Sequence, residues 1–323
     1  MKNMCVQGDF SISRENGQYI KGIAILFVIL GHLGWLDGAG VWGVHIFCFL
    51  SGYGLYCSGQ SNGTKHYWLK KLENVYFPYL FCTILFLIAK WLMYGPMKVS
   101  VLLASLLGLD FGLNADPTMW YISYIFACYV VFWLYLRISE KSNILAIVVA
   151  GVMWLGMAVA GLKGIIWHQG TVAWAYVFSF PLGVAVGLLR NWTIHKRLRD
   201  LLCVVVGAVA LLVVILRYGK PHGSVELFIY SFAAFAAILT LFWITDFCLL
   251  KHYGKIISVV GQYSFFMYLN EAFLLEIRNT YCSGINGAVT GVLVIVLSFL
   301  LAVVMSKGWN KVKTACWFKK ALT

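Results

Sequence analysis

Long apolar runs separated by short polar segments make up most of the chain. A helix of about 17–25 apolar residues is long enough to cross a bilayer. One shorter apolar segment, 99–109, is too brief to cross and predicts a surface or re-entrant helix. The longer runs predict about ten transmembrane helices, at 20–36, 41–57, 75–94, 119–138, 144–162, 172–189, 201–218, 227–250, 256–275 and 288–305.

Lysine and arginine alternate between the two sides of this layout. With the N-terminus in the cytoplasm, 19 of the 25 basic residues fall on the cytoplasmic side, five fall outside and Lys90 lies within a span. Basic residues favour cytoplasmic loops, so the alternation supports the ten spans and places both termini inside. The five outside residues are Lys98, Lys163, Arg217, Lys220 and Arg278.

Composition agrees with a membrane protein. Hydrophobic residues are 61% of the 323, charged residues are 11% and the mean hydropathy is +0.83, whereas soluble domains carry about 25% charged residues. The formal charge of +13 does not indicate nucleic acid, because the basic residues are spread over many short loops. The cysteines show no metal-ligand or disulfide spacing, and no cleavable signal peptide is apparent.

The fold class that follows is all-α, a polytopic helical bundle in the plasma or inner membrane. We expect a single domain over residues 1–323, with a polar cytoplasmic lead at 1–19 and a basic cytoplasmic tail at 306–323. Without a separate soluble domain, the chemistry belongs inside the bundle or at its faces.

Two residues of the first span indicate function. Polar side chains inside a span are costly, so His32 is a candidate catalytic residue. Lys21 lies eleven residues earlier, which is about 20° past three full helical turns and about 16 Å along the axis. The two therefore share one helix face. Lys21 alone also fits an interfacial anchor.

Further polar residues fall in the outer halves of other spans. His45 either faces His32 or bonds to a backbone carbonyl. Glu271, beside Asn270, either orients a histidine or forms a salt bridge with Arg278. Each of these alternatives stays open on the sequence alone.

Asp116, Trp120 and Tyr121 open the fourth span from outside. The aromatic rings are typical of an interface belt, although rings beside a carboxylate also suit a sugar. Ser51, in the sequence LSGYG, either supports the site or marks a close packing contact between helices.

Taken in order, five segments resemble the integral-membrane acyltransferase family 3, which includes O-antigen acetylases and other enzymes that acetylate bacterial envelope polysaccharides. They are KGIAILFVILGH, VHIFCFLSGYGLY, KHYWLKKLENVYFPY, MWYISYIF and GQYSFFMYL. The resemblance covers most of the chain, and its most specific part is a basic residue followed eleven positions later by histidine.

This resemblance implies an acyl-CoA donor, usually acetyl-CoA, used as co-substrate. We expect no bound cofactor and no metal. It implies that Lys21 helps to hold the donor and that His32 is essential for transfer. Lys70 and Lys71 are the matching residues of the basic loop, although fewer basic residues precede the proline than is usual. Gln18 also stands where the family often has an acidic residue.

The resulting hypothesis is an O-acetyltransferase that acylates a hydroxyl of an envelope or exported glycan. His32 acts as general base or as acyl carrier, and Trp120 and Tyr121 position the acceptor. The alternative is a transporter or flippase for a sugar-linked substrate. The sequence shows no inverted repeat, which many transporter folds contain, and this counts against the alternative. The acceptor sugar, the acyl chain and the oligomeric state do not follow from the sequence.

Overall fold

The computed structural model of the chain describes residues 7–8, 10–109, 116, 118–163, 174–192, 194–218, 224–245, 248–282 and 284–315. This part is helical apart from one antiparallel pair of two-residue strands, β1 (Gln7–Gly8) and β2 (Ile194–His195). In chain order the helices are α1 (Arg14–His32), α2 (Ala39–Asn62), α3 (Tyr67–Lys71), α4 (Phe77–Tyr94), α5 (Val99–Leu106), α6 (Trp120–Ser139), α7 (Asn143–Leu162), α8 (Ser179–Leu189), α9 (Lys196–Arg217), α10 (Ser224–Ile244), α11 (Cys248–Tyr281) and α12 (Gly287–Ala315). A π-helical segment, Leu72–Tyr76, joins α3 to α4, and a 3₁₀ turn, Trp174–Tyr176, precedes α8.

The all-α polytopic architecture predicted from the hydropathy pattern is confirmed. Among the described residues, seven helices are long and apolar enough to cross a membrane. They are α2, the continuous stretch from α3 to α4, α6, α7, α9, α10 and α12. Only 17% of the apolar windows of α7 and α9 is buried in the protein, which leaves most of their surface for lipid.

Three predicted spans coincide with helices that do not meet both criteria of length and apolarity. Helix α1 begins with polar residues, α11 carries Gln262, Asn270 and Glu271, and α8 has only 11 residues. That these three cross the membrane stays a prediction. The apolar segment at 99–109 contains the eight-residue helix α5, which is too short to span.

The chain forms two compact units, each built from two stretches of sequence. Unit 1 contains Met1–Ser61 and Trp174–Gln262, and unit 2 contains Asn62–Ala173 and Tyr263–Thr323. Unit 1 therefore holds α1, α2, α8, α9, α10 and the first part of α11, and unit 2 holds the remaining helices. The sequence predicted one domain over the whole chain, and that stays a prediction.

Close backbone contacts hold the helices of unit 1 together. A methyl group at Gly22 would overlap the carbonyl oxygen of Ile257 on α11, and one at Gly261 would overlap that of Gln18 on α1. Gly52 and Gly183 make the same kind of approach between α2 and α8. Small residues permit such close crossings, which membrane helices use in place of a hydrophobic driving force.

The end of the lead is attached to unit 1. The backbone N–H of Ile12, a buried residue, donates to the hydroxyl of Tyr53 at 2.9 Å. The ring of Phe10 packs edge-on against Trp243, with centroids 5.1 Å apart. Ser13 then caps α1 by accepting the N–H of Asn16 at 3.0 Å. The start of α1 is therefore set by contacts outside the helix itself.

Aromatic packing supports unit 2. Trp309 on α12 lies against the rings of Phe77 and Phe81 on α4, with centroids 6.5 and 6.2 Å away. The hydroxyls of Tyr76 and Tyr79 donate to the carbonyls of Leu106 and Ser105, which docks α5 beside the start of α4.

Candidate active site

The face of α1 that carries Lys21 and His32 lies between two packing contacts of that helix. About 60° before Lys21 lies Ala24, where Gly43 of α2 closes in. About 100° after Lys21 lies Gly22, which meets Ile257 of α11. The face that Lys21 and His32 were predicted to share therefore lies between the contacts of α1 with α2 and with the first part of α11. Lys21 is half-buried on this face.

His32 is the last residue of α1, and its side chain is exposed. A glycine ends the helix here: Gly34 has a φ of 71°, and its N–H donates to the carbonyl of Gly31 at 3.0 Å. The N–H of Trp35 reaches back to Leu30 at 3.0 Å, which completes a Schellman motif. The sequence expected a span over 20–36 with His32 inside it, so the observed helix end corrects that expectation. The glycine after the histidine is the signal that would have located it.

His45 is fully buried within unit 1 and bonds to two serine hydroxyls. Its Nδ1 lies 2.6 Å from Ser179 Oγ, and its Nε2 lies 3.0 Å from Ser231 Oγ. Because the hydroxyl of Ser231 donates to the carbonyl of Phe228 at 3.2 Å, Nε2–H is the donor to Ser231 and Nδ1 accepts from Ser179. Its partners are two serines and not the backbone carbonyl of the second sequence alternative, and that His45 faces His32 stays a prediction. Both ring nitrogens are occupied, so the imidazole holds α2, α8 and α10 together.

Ser51 is half-buried next to Gly52, the residue that contacts α8. A methyl group at Gly52 would overlap the carbonyl oxygen of Phe180, whereas Gly54 has open space around it. The close packing expected for the LSGYG segment therefore depends on Gly52.

In unit 2, a buried acidic group lies at the start of α6. Asp116 is 4% exposed, and its Oδ1 accepts from both the backbone N–H and the hydroxyl of Thr118, at 2.8 and 2.7 Å. Burial raises the pKa of Asp116 to about 6, and the nearby charge of Glu271 adds to the increase. The hydrogen bonds from Thr118 and the charge of Lys90 oppose it. Asp116 and Glu271 are thus two buried carboxyl groups, and the charge of Glu271 influences the pKa of Asp116.

Asn270 and Arg278 have partners elsewhere in unit 2. The amide of Asn270 donates to the carbonyl of Ser298 at 3.1 Å and accepts from its hydroxyl at 2.7 Å. Arg278 donates to Thr290 and Asn279 at 3.0 and 3.3 Å. In the part of the chain described, Arg278 is therefore not the salt-bridge partner expected for the fully buried Glu271. Asn270 joins α11 to α12.

A small cavity adjoins Asp116 in unit 2. Its volume of about 10 Å³ leaves room for no more than a single water molecule. A sugar does not fit there without movement of the walls, which are formed by Tyr79, Thr83, Phe86, Ser105, Asp116, Met119 and Leu269.

Trp120 and Tyr121 are half-buried members of an aromatic cluster. Trp120 contacts Tyr121 and Tyr124, with centroids 6.2 and 6.1 Å apart, and Tyr121 meets Tyr268 edge-on at 5.5 Å. The hydroxyl of Tyr268 donates to the carbonyl of Thr118. The rings therefore contribute to packing as well as to any interface belt.

The basic loop of unit 2 contains one arrangement that the sequence did not predict. The ammonium group of Lys71 lies over the rings of Tyr67 and Tyr129, and Glu73 pairs with Lys313 at 2.6 Å. Because 240 positions separate Glu73 from Lys313 in the chain, no local pattern indicated the pair. Among the described residues, no group of three or more His, Cys, Asp or Glu side chains is arranged to hold a metal ion.

Comparison with known families decides the class of protein. The family model described as an acyltransferase domain matches residues 18–307. The chain belongs to the membrane acyltransferase family 3. The matched range includes all the site residues that the sequence predicted. Together with the apolar helices, this match shows that the protein is a membrane acyltransferase. No curated protein and no solved structure matches this acyltransferase.

Proposed function

We propose that this acyltransferase moves an acetyl group from cytoplasmic acetyl-CoA to a hydroxyl of an envelope or exported glycan at the plasma or inner membrane. The observation that carries the proposal is the α1 face, with Lys21 and His32 on one line between α2 and α11. A cation and an imidazole about 16 Å apart along a helix suit an extended donor with a phosphate-bearing end and a reactive thioester.

The chemistry assigned to His32 is proton transfer. The neutral imidazole takes the proton of the acceptor hydroxyl while its oxygen attacks the thioester carbonyl. The carbon–sulfur bond then breaks, and the departing thiolate receives the proton from the imidazolium. The C-terminal end of a helix favours a cation, so the end of α1 suits the imidazolium form. In the other version, the imidazole nitrogen attacks the thioester carbonyl, the carbon–sulfur bond breaks, and coenzyme A leaves as a thiol with the proton that the imidazole loses. The acceptor hydroxyl then attacks the acyl-imidazole, the carbon–nitrogen bond breaks, and the hydroxyl proton returns to the imidazole.

The remaining candidates have supporting roles in this proposal. Lys70 and Lys71 bind phosphate groups of the donor at the cytoplasmic end of unit 2. On the acceptor side, Trp120 and Tyr121 supply aromatic surface for a sugar, and Asp116 and Glu271 supply carboxyl groups. Asn270, His45 and Ser51 support these helices through packing and hydrogen bonds.

The test compares His32→Ala with His195→Ala, an exposed histidine of β2 that serves as the matched control. Membranes containing each protein receive labelled acetyl-CoA, and mass spectrometry of the cell glycans measures added acetyl groups. Loss of a general base costs about 10²–10⁴-fold in rate, so His32→Ala should show no acetylation above background while His195→Ala stays active. Normal transfer by a well-expressed His32→Ala protein would exclude the catalytic assignment.

Quenching the wild-type reaction without acceptor separates the two chemical versions. Label retained on the protein and absent from His32→Ala supports the acyl-histidine route, whereas unlabelled wild-type protein supports the general base.

A further inference from the structure

The basic end of unit 2 holds one of its lysines in a specific environment. The ammonium group of Lys71 lies 5.4 Å from the ring centroid of Tyr67 and 5.1 Å from that of Tyr129. The two tyrosines are linked, because the hydroxyl of Tyr67 donates to the backbone carbonyl of Tyr129 at 2.9 Å. Cation–π contacts hold an ammonium group without neutralising it. The two rings therefore hold the ammonium group of Lys71 in one place.

An acidic residue lies very close to this lysine in the chain. Glu73 follows Lys70 by three positions and Lys71 by two, and oppositely charged side chains three apart on a helix commonly pair. In the part of the chain described, neither lysine forms an ion pair with it. Instead, Glu73 Oε1 lies 2.6 Å from the ammonium nitrogen of Lys313, near the end of α12.

The burial of Glu73 explains why this partner matters. Its side chain is only 7% exposed, whereas that of Lys313 is 36% exposed. A buried carboxylate requires a partner, and removal of one member of a buried pair leaves an uncompensated charge. Glu73 also lies in the π-helical segment, whose geometry can change the face on which a residue lies. A Glu73 carboxylate without Lys313 would seek Lys70 or Lys71.

We propose that Lys313 is a positioning residue for donor binding, because it neutralises Glu73 and so leaves Lys70 and Lys71 available for the phosphates of acyl-CoA. The inference rests on the proposed function, since it assigns the basic loop to the donor. It adds a residue from the far end of the chain that makes no donor contact itself.

Four variants test the proposal: Lys313→Met, Glu73→Gln, the double variant, and Lys311→Met as an exposed control on the same helix. The measurement is the dissociation constant of coenzyme A for each purified protein in detergent, with KM and kcat for acetyl-CoA. Lys313→Met should weaken binding about tenfold and raise KM with little change in kcat, as for loss of one charge-assisted contact. Glu73→Gln and Lys311→Met should bind within about twofold of wild type.

The double variant distinguishes this role from a structural one. If Lys313 acts only by neutralising Glu73, then Glu73→Gln combined with Lys313→Met should bind coenzyme A as well as Glu73→Gln alone. This comparison remains valid if Lys313→Met folds poorly, because both proteins lack the buried carboxylate. Weaker binding by the double variant would overturn the proposal, as would unchanged binding by a folded Lys313→Met protein.

The outcome also separates this inference from the proposed function. A wild-type protein that does not bind coenzyme A would overturn the donor assignment, and the inference with it. Binding by wild type that is insensitive to Lys313→Met would overturn the role of Lys313 alone.

Discussion

Helices of unit 1 cross where glycine meets a backbone carbonyl, as at Gly22, Gly52, Gly183 and Gly261. In unit 2, helices also meet through polar or charged pairs. Asn270 bonds to Ser298, Glu73 pairs with Lys313, and Lys90 pairs with Glu276 at 2.9 Å. Unit 1 also has polar contacts between helices: His45 bonds to its two serines, and Arg217 on α9 pairs with Glu226 on α10 at 3.0 Å.

The comparison separates two ways of placing functional residues. Backbone contacts set the position of α1, and Lys21, half-buried between these contacts, is the residue that we propose for the donor. In unit 2 many of the polar groups already satisfy one another. In the proposal above, Lys70 and Lys71 are available to the donor because Lys313 pairs with Glu73.

The largest effect should come from substitution of a glycine at a helix crossing in unit 1. Gly261→Ala places a methyl group against the carbonyl oxygen of Gln18, so α1 and α11 must separate. Overpacking of this kind costs about 1–3 kcal/mol or more. We expect low yield of folded protein and loss of activity, measured by size-exclusion chromatography and acetyl transfer. Gly308→Ala in unit 2 is the control, because its methyl group would lie 3.4 Å from the Phe81 ring.

Removal of the Lys21 charge on the α1 face should weaken donor binding and leave the fold intact. Lys21→Ala should raise KM for acetyl-CoA about tenfold, the effect of losing roughly 1.4 kcal/mol of phosphate contact. Lys21→Arg keeps the charge and should retain most of the activity. Lys65→Ala, an exposed loop lysine, controls for net charge. An unchanged KM in Lys21→Ala would remove Lys21 from the donor site.

Truncation of one member of a polar pair should lower the stability of unit 2. Asn270→Ala removes both hydrogen bonds to Ser298 and leaves its hydroxyl buried. The expected cost is about 1–3 kcal/mol, seen as a lower melting temperature in detergent. Asn310→Ala on the exposed side of α12 should have little effect. If the two variants melt at the same temperature, the polar pair does not stabilise unit 2.

The smallest effect is a pH dependence at Asp116. Its pKa of about 6 in the folded protein exceeds the unfolded value of about 3.9, so its contribution to stability is complete below about pH 4. That contribution is lost as pH rises through 6, by roughly 1–3 kcal/mol. Asp116→Asn keeps an acceptor for Thr118 and should flatten the melting temperature between pH 4 and 7. Parallel curves for the two proteins would contradict the raised pKa.

Much of the fold follows from local pattern. Apolar runs located the long helices, and the short run at 99–109 indicated α5. The shared face of Lys21 and His32 follows from helical periodicity alone. The predicted span at 172–189 overlaps α8 only from Ser179 onward, and residues 164–173 lie outside the described part. Hydropathy gives the length of an apolar stretch, but it does not show whether that stretch forms one continuous helix.

The contacts within the candidate site could not be predicted, because they join residues that are far apart in the sequence. Ser179 and Ser231 lie 134 and 186 positions from His45, and either serine alone looks like any small residue in a span. Such pairs arise from helix packing, which sequence periodicity does not determine. The helix end at His32 was different in kind, since Gly34 marked it locally.

Helix α12 holds two anchor points of unit 2 at a set spacing. Ser298 and Lys313 are fifteen residues apart on one uninterrupted helix, a distance of about 22 Å. One inserted residue between them would turn Lys313 by about 100° away from Glu73 and move it by 1.5 Å. The length of this stretch is therefore constrained even where its side chains are not. Replacement of its exposed apolar residues, such as Leu300 and Val304, should be tolerated, whereas an insertion or deletion of one residue would separate the two anchors.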